Sequence, residues 1–206
     1  MSRQVLVIAT RNSGKLLELS ELLRDLPFTL RDLNSFPLIG PVEETGATFA
    51  ENASIKARAY AQQTRLMTLA DDSGLEVRAL DGEPGVRSAR YAGDGASDAQ
   101  RTNRLLAELA KLSSTDRTAR FVSAVAIANT EALTLHVAIG TCEGRIASAP
   151  RGLNGFGYDP VFIPNGYDQT FGELSSEVKN QVSHRGRALK GARNFLRSLT
   201  MASTDG

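Results

Sequence analysis

The chain has 206 residues, 41% of them hydrophobic, and its 24 Lys and Arg residues nearly balance its 23 Asp and Glu residues. This length suits one domain, or one domain with two lobes, and the balanced charge, with no long run of Lys or Arg, argues against a nucleic-acid partner. The single cysteine, Cys142, excludes an internal disulfide framework, and the sequence has neither an apolar run of 18 residues nor a signal-peptide pattern. We therefore expect a cytoplasmic protein with no membrane partner.

The first part of the chain reads as the opening of an α/β protein. Gln4 to Ala9 form an apolar run typical of a buried strand, and leucines at helical spacing predict a helix from Gly14 to Asp25. A second strand is predicted over Phe28 to Leu33, followed by a Pro- and Gly-bearing loop, Ser35 to Gly46, that contains Glu44. A strand, a short polar turn and a helix in this order indicate an α/β sheet.

Two capping boxes mark the starts of further helices. The box from Thr48 to Glu51 predicts a helix that runs to about Thr64. One face of this helix is rich in alanine and suits close packing on a sheet, whereas Lys56 lies on another face. The box from Ser97 to Gln100 predicts a helix that runs to about Lys111.

The second half of the chain predicts antiparallel strands. Ala119 to Ala128 and Ala132 to Thr141 are rich in Val, Ile, Ala and Thr and are separated by a polar turn, a pattern typical of a hairpin. Gly144 to Ser148 is predicted as a third strand, and Pro160 to Ile163 as a further short one. The sheet is therefore predicted to be mixed, with parallel strands from the first half and antiparallel strands from the hairpin.

Two adjacent carboxylates form the densest group of chemically active side chains in the sequence. Asp71, Asp72 and Ser73 follow the apolar run Leu66 to Leu69, and we expect them at the end of a short strand. Ligands bind at strand ends in open α/β sheets, and adjacent carboxylates stay ionised most easily around a hard divalent cation. Because Asp, Ser and Gly also favour turns, a surface turn is the alternative interpretation.

The turn between the first strand and the first helix is a candidate phosphate site. The free N–H groups and partial positive charge of a helix N-terminus bind anions, and Lys15 adds a mobile cation. The turn is not a Walker A loop, because Ala9 and Leu16 occupy positions where that motif needs Gly and Ser or Thr. The alternative is an ordinary N-cap by Asn12 or Ser13 with Lys15 in solvent.

The loop from Gly155 to Pro160 is a candidate site for a planar ligand. It places the rings of Phe156 and Tyr158 beside Asp159 in a glycine-flexed segment. Glycine lets the backbone approach a ligand closely, and an aromatic ring can stack on a nucleobase. Asp159 and the backbone amides could read a base edge, although the glycines also suit a purely structural turn.

The last predicted helix runs from Ser183 to Leu199, with Ser183 as its N-cap, and the tail from Met201 to Gly206 is expected to be frayed. His184 and Arg185 in its first turn are unfavourable for the helix dipole, which indicates an external anion as their partner. Lys179 could belong to the same basic cluster. A cap followed by a surface arginine is the alternative.

The motifs together resemble the non-canonical purine NTP pyrophosphatases, the inosine triphosphate pyrophosphatase family. Seven segments carry the resemblance, in the order in which the family has them, between about Val5 and Leu196: Thr10–Lys15, Glu43–Gly46, Glu51–Ala53, Ala70–Leu75, Pro84–Tyr91, Gly155–Pro160 and Ser183–Gly186. One departure is Arg11, because many members have glycine there. Other members carry a bulkier residue, so the departure does not argue against activity.

The resemblance implies a fold, a reaction and a site. The fold would be an elongated mixed β-sheet flanked by helices, with two lobes, an active-site cleft between them and no separable linker in residues 1–206, and the protein would be a homodimer. The reaction would be the Mg²⁺-dependent hydrolysis of ITP, dITP and XTP to the monophosphate and pyrophosphate, which cleanses the nucleotide pool. Asp72 would act as general base and metal ligand, and Glu44 as the other metal ligand. The residues that would bind the substrate are Thr10, Arg11, Asn12, Ser13, Gly14, Lys15, Lys56, Ser73, Phe156, Gly157, Tyr158, Asp159, Lys179, His184 and Arg185.

Two other functions compete with this one. A pyrophosphatase of the Maf type, acting on pyrimidine or modified nucleotides, would share the opening strand, turn and helix, but the loop at Gly155 and the segment at Ser183 favour the purine branch. A non-catalytic nucleotide-binding module would need the anion sites without two converging acids.

Overall fold

The computed structural model describes residues 3–202 of the chain. These residues form two compact units, each built from separate stretches of sequence. The first unit contains the residues up to Asp72, then Ser123–Gly140, then the residues from Arg185 onward, and the second contains Ser73–Val122 and Thr141–His184. No helix in the described part of the chain is long and apolar enough to cross a membrane.

A six-stranded mixed sheet with helices confirms the predicted α/β class. The strands are β1 Gln4–Ile8, β2 Phe28–Asp32, β3 Met67–Val77, β4 Thr118–Ala128, β5 Thr134–Ile146 and β6 Phe162–Pro164, and their order in the sheet is β2-β1-β3-β4-β5-β6. β1 pairs in parallel with β2 and β3, whereas β5 and β6 are antiparallel. The helices are α1 Ser13–Leu23, α2 Phe49–Thr64, α3 Asp98–Ala110, α4 Ser176–Val182 and α5 His184–Ala202.

The core of the first unit forms where the leucine-rich faces of two helices meet the sheet. Leu19 and Leu23 of α1 and Leu189 of α5 are fully buried against the apolar residues of β1, β3 and β4. Burying such side chains contributes about 2 kcal/mol each, which holds the ends of α1 and α5 in place. The predicted capping box of α2 is confirmed, since the Thr48 side chain accepts from Glu51 N and the Glu51 side chain accepts from Thr48 N.

The second unit has its own aromatic core. The rings of Phe121, Phe162 and Phe171 pack together, with centroids 4.7 to 6.1 Å apart. Leu105 and Leu109, on the apolar face of α3, are buried in the same cluster. The predicted capping box at Ser97 and Gln100 is confirmed and fixes the start of α3 beside this core.

The strand that carries the two aspartates is longer than expected. β3 does not end before Asp71 but continues through Asp72 and Ser73 to Val77, because Leu75 and Val77 continue the pattern of buried side chains. The parallel pairing of β1 with β3, however, covers only Met67–Leu69. The aspartates therefore lie just beyond the carboxyl end of β1 rather than at the end of their own strand.

Other differences from the sequence predictions concern the second half of the chain. The third strand predicted at Gly144–Ser148 is wrong, because residues up to Ile146 continue β5 and its last three residues pair with β6. β6 lies at Phe162–Pro164, after a single 3₁₀ turn, rather than starting at Pro160. The short helix α4 was not predicted, and Ser183 is its C-cap. Met201 and Ala202 continue α5, and the rest of the tail predicted to fray lies outside the described residues.

Candidate active site

The turn between β1 and α1 is capped as the alternative interpretation proposed. Asn12 is the N-cap, and its Oδ1 accepts a hydrogen bond of 2.9 Å from Lys15 N. The Arg11 guanidinium donates to the carbonyl oxygen of Ile39 at 3.1 Å. The side chain of Lys15 nevertheless does not extend into solvent, because its ammonium group lies 2.7 Å from Asp71 Oδ2. The turn thus combines a capped helix start with a partly buried cation.

The negative charge of the Asp71 carboxylate is offset by neighbouring cations and a hydrogen bond. Its Oδ1 accepts a hydrogen bond of 2.5 Å from the Ser123 hydroxyl, and its Oδ2 lies 2.7 Å from Lys15 Nζ and 3.5 Å from Arg185 Nη2. Burial on its own would raise the pKa of Asp71, but the charges of Arg185 and Lys15 hold the pKa well below its ordinary value. Both oxygens are engaged, so this carboxylate orients two cations rather than offering ligands to a metal.

Asp72 has a different environment on the opposite side of the same strand. Its Oδ1 accepts from Lys56 Nζ at 3.0 Å, and the same ammonium group lies 3.0 Å from Glu44 Oε1. Its Oδ2 is buried and has no hydrogen-bond partner among the described residues. Burial raises the pKa of Asp72 despite the opposing charge of Lys56. A buried carboxylate oxygen without a partner is costly, which indicates a site whose occupant comes from outside the protein.

Helix α2 and its capping segment position the other two members of this group. Lys56 is buried on α2, and one turn earlier Asn52 Oδ1 accepts from Gly46 N at 2.7 Å. A Cβ atom on Gly46 would lie 2.7 Å from Glu51 Cβ, so only glycine permits this approach. The bond to Asn52 therefore draws the segment that carries Glu44 onto the start of α2.

This arrangement fits a divalent cation. The carboxylates of Asp72 and Glu44 converge on one positive group, the Lys56 ammonium, and Asp72 has an oxygen to spare. Mg²⁺ is commonly held by one or two carboxylates, with water and phosphate oxygens completing its shell. Within residues 3–202, no three His, Cys, Asp or Glu side chains are grouped as a metal site.

The loop from Gly155 to Pro160, in the second unit, is held by its own acid. Asp159 Oδ2 accepts from Phe156 N at 2.8 Å and from the ammonium group of Lys179. Lys179 Nζ also lies 4.9 Å from the centroid of the Phe156 ring, a cation–π distance. Gly155 has φ +73°, and a Cβ there would collide with the Asp159 carboxylate. The structure thus uses Asp159 to shape the loop and to fix Lys179 beneath the aromatic ring.

Two further side chains tie this loop to its surroundings in the second unit. The Tyr158 hydroxyl donates to the carbonyl oxygen of Ser88 at 2.9 Å, and burial raises the pKa of Tyr158 well above its ordinary value. Asp98 Oδ2 accepts from Gly157 N at 2.6 Å. The amides of Phe156, Gly157 and Asp159 therefore all donate within the protein, the last of them to Phe156 O at 3.2 Å.

The first two residues of α5 have internal partners. The His184 ring is buried and stacks on Phe121, with centroids 4.5 Å apart and planes 10° apart. The Arg185 guanidinium is buried in ion pairs with Glu18 and Asp71. These carboxylates offset a cation that the helix dipole disfavours, so an external anion is not needed to account for Arg185.

Sequence reasoning missed several residues that build these sites. Glu18 lies three residues after Lys15 on α1, and Ser123 is a hydroxyl inside an otherwise apolar strand. Asp98 lies within the predicted capping box from Ser97 to Gln100, where the pattern assigns it no role of its own. In the sequence these three are visible as polar residues in an apolar or capping segment. Their partners cannot be read from the sequence, because they lie more than 50 residues away along the chain.

The protein is an α/β protein with a mixed sheet, and two of its carboxylates converge on a buried lysine beyond the end of β1. Comparison with known proteins gives its family. The sequence pattern described as the Ham1 family matches residues 6–195, and the chain belongs to this family. It is 47% identical over 184 residues to the dITP/XTP pyrophosphatase of Halalkalibacterium halodurans, covering 89% of this chain and 94% of that one. It is 52% identical over 191 residues to the dITP/XTP pyrophosphatase of Syntrophobacter fumaroxidans, covering 92% and 80%. A solved HAM1 protein from Coxiella burnetii superposes with a TM-score of 0.82 at 44% identity, covering 98% of this chain and all of that one.

Proposed function

We propose that the protein is a nucleoside-triphosphate pyrophosphatase that hydrolyses dITP, ITP and XTP to the monophosphate and pyrophosphate. The observation that carries the proposal is the convergence of Asp72 and Glu44 on one cation, with Asp72 Oδ2 left without a partner among the described residues. The relatives named dITP/XTP pyrophosphatase, at 47% and 52% identity over most of the chain, support this substrate class.

Glu44 and Asp72 would hold Mg²⁺. When bound, the ion would lower the pKa of an attacking water and offset the charge that develops on the phosphates. Lys56 already lies 3.0 Å from both carboxylates, so its ammonium group marks where positive charge is favourable and would contact the phosphates once an ion takes that place. Ser73, the next residue of β3, is proposed as a further substrate contact.

Asp72 would accept the proton of the attacking water. Its buried Oδ2 has lone pairs that no described residue uses, and its raised pKa makes it a stronger base than an exposed aspartate. A water beside Oδ2 would be directed at the α-phosphorus, with pyrophosphate leaving on the opposite side. Because phosphoryl transfer depends mainly on positioning and charge, one base and a set of cations are sufficient.

The turn between β1 and α1 would bind the triphosphate. The amides at the start of α1 and the residues Thr10–Lys15 would form an anion site of the kind that helix N-termini provide. Asn12 holds the turn in shape, and Asp71 keeps the Lys15 ammonium group at its edge. In this proposal Asn12 maintains the shape of the turn, and Lys15 supplies positive charge for the phosphates.

The purine base would be bound by the loop from Phe156 to Asp159, together with Lys179, His184 and Arg185. The Phe156 ring is suited to stacking on a base. Because three amides of the loop already donate within the protein, an N–H that reads the 6-oxo group of the base would come from Gly155 or Tyr158, or from a side chain. A donor paired with that oxygen would be left unpaired by the amine of adenine, which disfavours ATP. A homodimer and a cytoplasmic location are further parts of this proposal.

A panel of nucleotides tests the proposal directly. Pyrophosphate release is measured with Mg²⁺ for ITP, dITP, XTP, the four standard NTPs and dTTP. We expect rapid release from the 6-oxopurine substrates ITP, dITP and XTP and much slower release from ATP, CTP and UTP. A preference for pyrimidine nucleotides would instead indicate the Maf type, and binding of ITP without turnover would indicate a non-catalytic module.

A further inference from the structure

The start of α3 binds both backbone polar groups of one residue in the base-binding loop, Gly157. Gly157 N donates to Asp98 Oδ2 at 2.6 Å, and the Thr102 hydroxyl donates to Gly157 O at 3.4 Å. Asp98 and Thr102 lie one turn apart on α3, so a single helix face binds both polar groups of Gly157. Gly157 has φ +62°, a conformation that glycine adopts without strain, so its backbone is free to turn and these bonds hold it in one orientation.

Asp98 is itself held in place from the other side. Its Oδ1 pairs with Arg101, three residues further along α3, and Arg101 also donates to the carbonyl oxygen of Ala89 at 3.1 Å. Ser97 caps the helix and Gln100 closes the capping box, so the first turn of α3 has its own hydrogen bonds apart from those to the loop. The carboxylate therefore presents a fixed, negatively charged acceptor to the Gly157 amide, and such charge-assisted bonds are stronger than neutral ones.

The loop's remaining attachments leave Asp98 with a distinct role. Tyr158 is tied to Ser88, Phe156 N is tied to Asp159, and Asp159 N donates to Phe156 O at 3.2 Å within the same turn. None of these bonds engages the Gly157 N–H, which donates to Asp98 instead. Gly157 lies between Phe156 and Tyr158, so its backbone conformation sets the direction in which the Phe156 ring and the Tyr158 amide face a ligand. Loss of the Asp98 acceptor would leave Gly157 N–H to water and allow the loop to rotate between its two anchored neighbours.

We propose that Asp98 is a specificity-determining positioning residue, which acts through Gly157 to fix the geometry of the base-binding loop. The proposal rests on the proposed function, because it assigns that loop to the base of a nucleoside triphosphate. Asp98 is a partly exposed surface residue, so its loss leaves both cores intact. Loss of Asp98 would reduce discrimination between bases and would leave the Asp72 carboxylate, the proposed base, unchanged.

Two variants at one position separate the hydrogen bond from the charge. Asp98→Ala removes both the acceptor for Gly157 N–H and the ion pair with Arg101, whereas Asp98→Asn keeps one oxygen for Gly157 N–H and loses the charge and, with it, the ion pair. For Asp98→Ala we expect KM for ITP to rise about tenfold with kcat within about twofold, and the ITP-to-ATP ratio of kcat/KM to fall about fivefold. For Asp98→Asn we expect both values within about threefold of the parent. Arg101→Met, which removes the ion pair and keeps the acceptor, should resemble Asp98→Asn.

The outcomes are distinguishable from failure of the proposed function. If the unmodified protein releases no pyrophosphate from ITP, the proposed function is overturned and this inference with it. If the unmodified protein is active but Asp98→Ala matches it, or loses activity equally on ITP and ATP, only the inference is overturned. Hydrogen exchange at the Gly157 amide gives a readout independent of turnover, and it should be faster in Asp98→Ala than in Asp98→Asn. If Asp98→Ala does not fold, Asp98→Ser, whose side chain is shorter, replaces it in the same comparison.

Discussion

Asp71 and Asp72 are neighbours on one strand, but they lie on opposite faces of β3 and have different hydrogen-bond and charge partners. Successive side chains of a strand point to opposite faces, so each carboxylate meets a different set of helices. Asp71 meets Lys15 of α1, Arg185 of α5 and the Ser123 hydroxyl, and both its oxygens are engaged. Asp72 meets Lys56 of α2, and one of its oxygens has no partner among the described residues.

The difference shows how one dipeptide can carry both stability and chemistry. A buried carboxylate with several cations is held ionised, and its pKa is lowered, so removing it would leave uncompensated positive charge. A buried carboxylate with one cation shared with Glu44 has a raised pKa and an unused oxygen, so it lowers stability and retains reactivity. We infer that Asp71 supports the site and Asp72 acts in it.

The largest expected effect is the loss of turnover in Asp72→Asn. The amide cannot act as the base and is a poorer metal ligand, so we expect kcat for ITP to fall at least about 10³-fold, with little change in the midpoint of thermal unfolding. Because Asp72 is ionised at a cost in the folded protein, this variant should be as stable as the parent or slightly more stable. Steady-state pyrophosphate release and calorimetry measure the two quantities.

Asp71→Asn is the matched variant, one residue away and with the same loss of charge. Breaking a buried ion pair typically costs 3–5 kcal/mol, so we expect the free energy of unfolding to fall by about 3 kcal/mol. Activity at a temperature where the variant stays folded should fall less than in Asp72→Asn. Equal loss of stability in the two variants would contradict the comparison between the two faces.

The dependence of stability on pH offers a sharper form of the same test. The pKa of Asp71 is lower in the folded protein than its ordinary value of 3.8, so its contribution is present above pH 3.8 and is lost as the pH falls further. Urea unfolding from about pH 6 to about pH 3 should therefore show the parent losing the first part of its advantage over Asp71→Asn at the acid end. An advantage that stays constant over this range would show that the carboxylate is not held ionised by Lys15 and Arg185.

Much of the fold could be predicted because it depends on local patterns. The capping boxes at Thr48 and Ser97 and the leucine spacing of α1 locate helices from a few adjacent residues. α4 was missed because seven residues are too few for a helical period to be visible. The continuation of β3 beyond Asp72 was missed because Asp, Ser and Gly are typical of turns, and only burial of Leu75 and Val77 overrides that preference.

The site was predicted as separate segments but not as a set of contacts. Sequence reasoning pointed to Asp72, Glu44 and Lys56, yet nothing local indicates that one ammonium group lies 3.0 Å from both carboxylates. The choice between Asp71 and Asp72 rested on family resemblance alone, and the structure supplies a physical reason through their different partners. Long-range pairs such as Ser123 with Asp71 depend on strand register, which the sequence pattern does not specify.

The smallest predicted effect isolates the hydroxyl that completes the environment of Asp71. Ser123 is fully buried, and its Oγ donates to Asp71 Oδ1 at 2.5 Å. In Ser123→Ala this oxygen loses its donor while Lys15 and Arg185 remain, so we expect the free energy of unfolding to fall by about 1.5 kcal/mol, with kcat for ITP within about twofold of the parent. Ser198→Ala, which removes an exposed hydroxyl bonded to Phe195 O on α5, is the control and should change stability by less than about 0.5 kcal/mol. An effect of Ser123→Ala as large as that of Asp71→Asn would mean that the hydroxyl, rather than the two cations, keeps Asp71 ionised, and the division between the two faces of β3 would then need another cause.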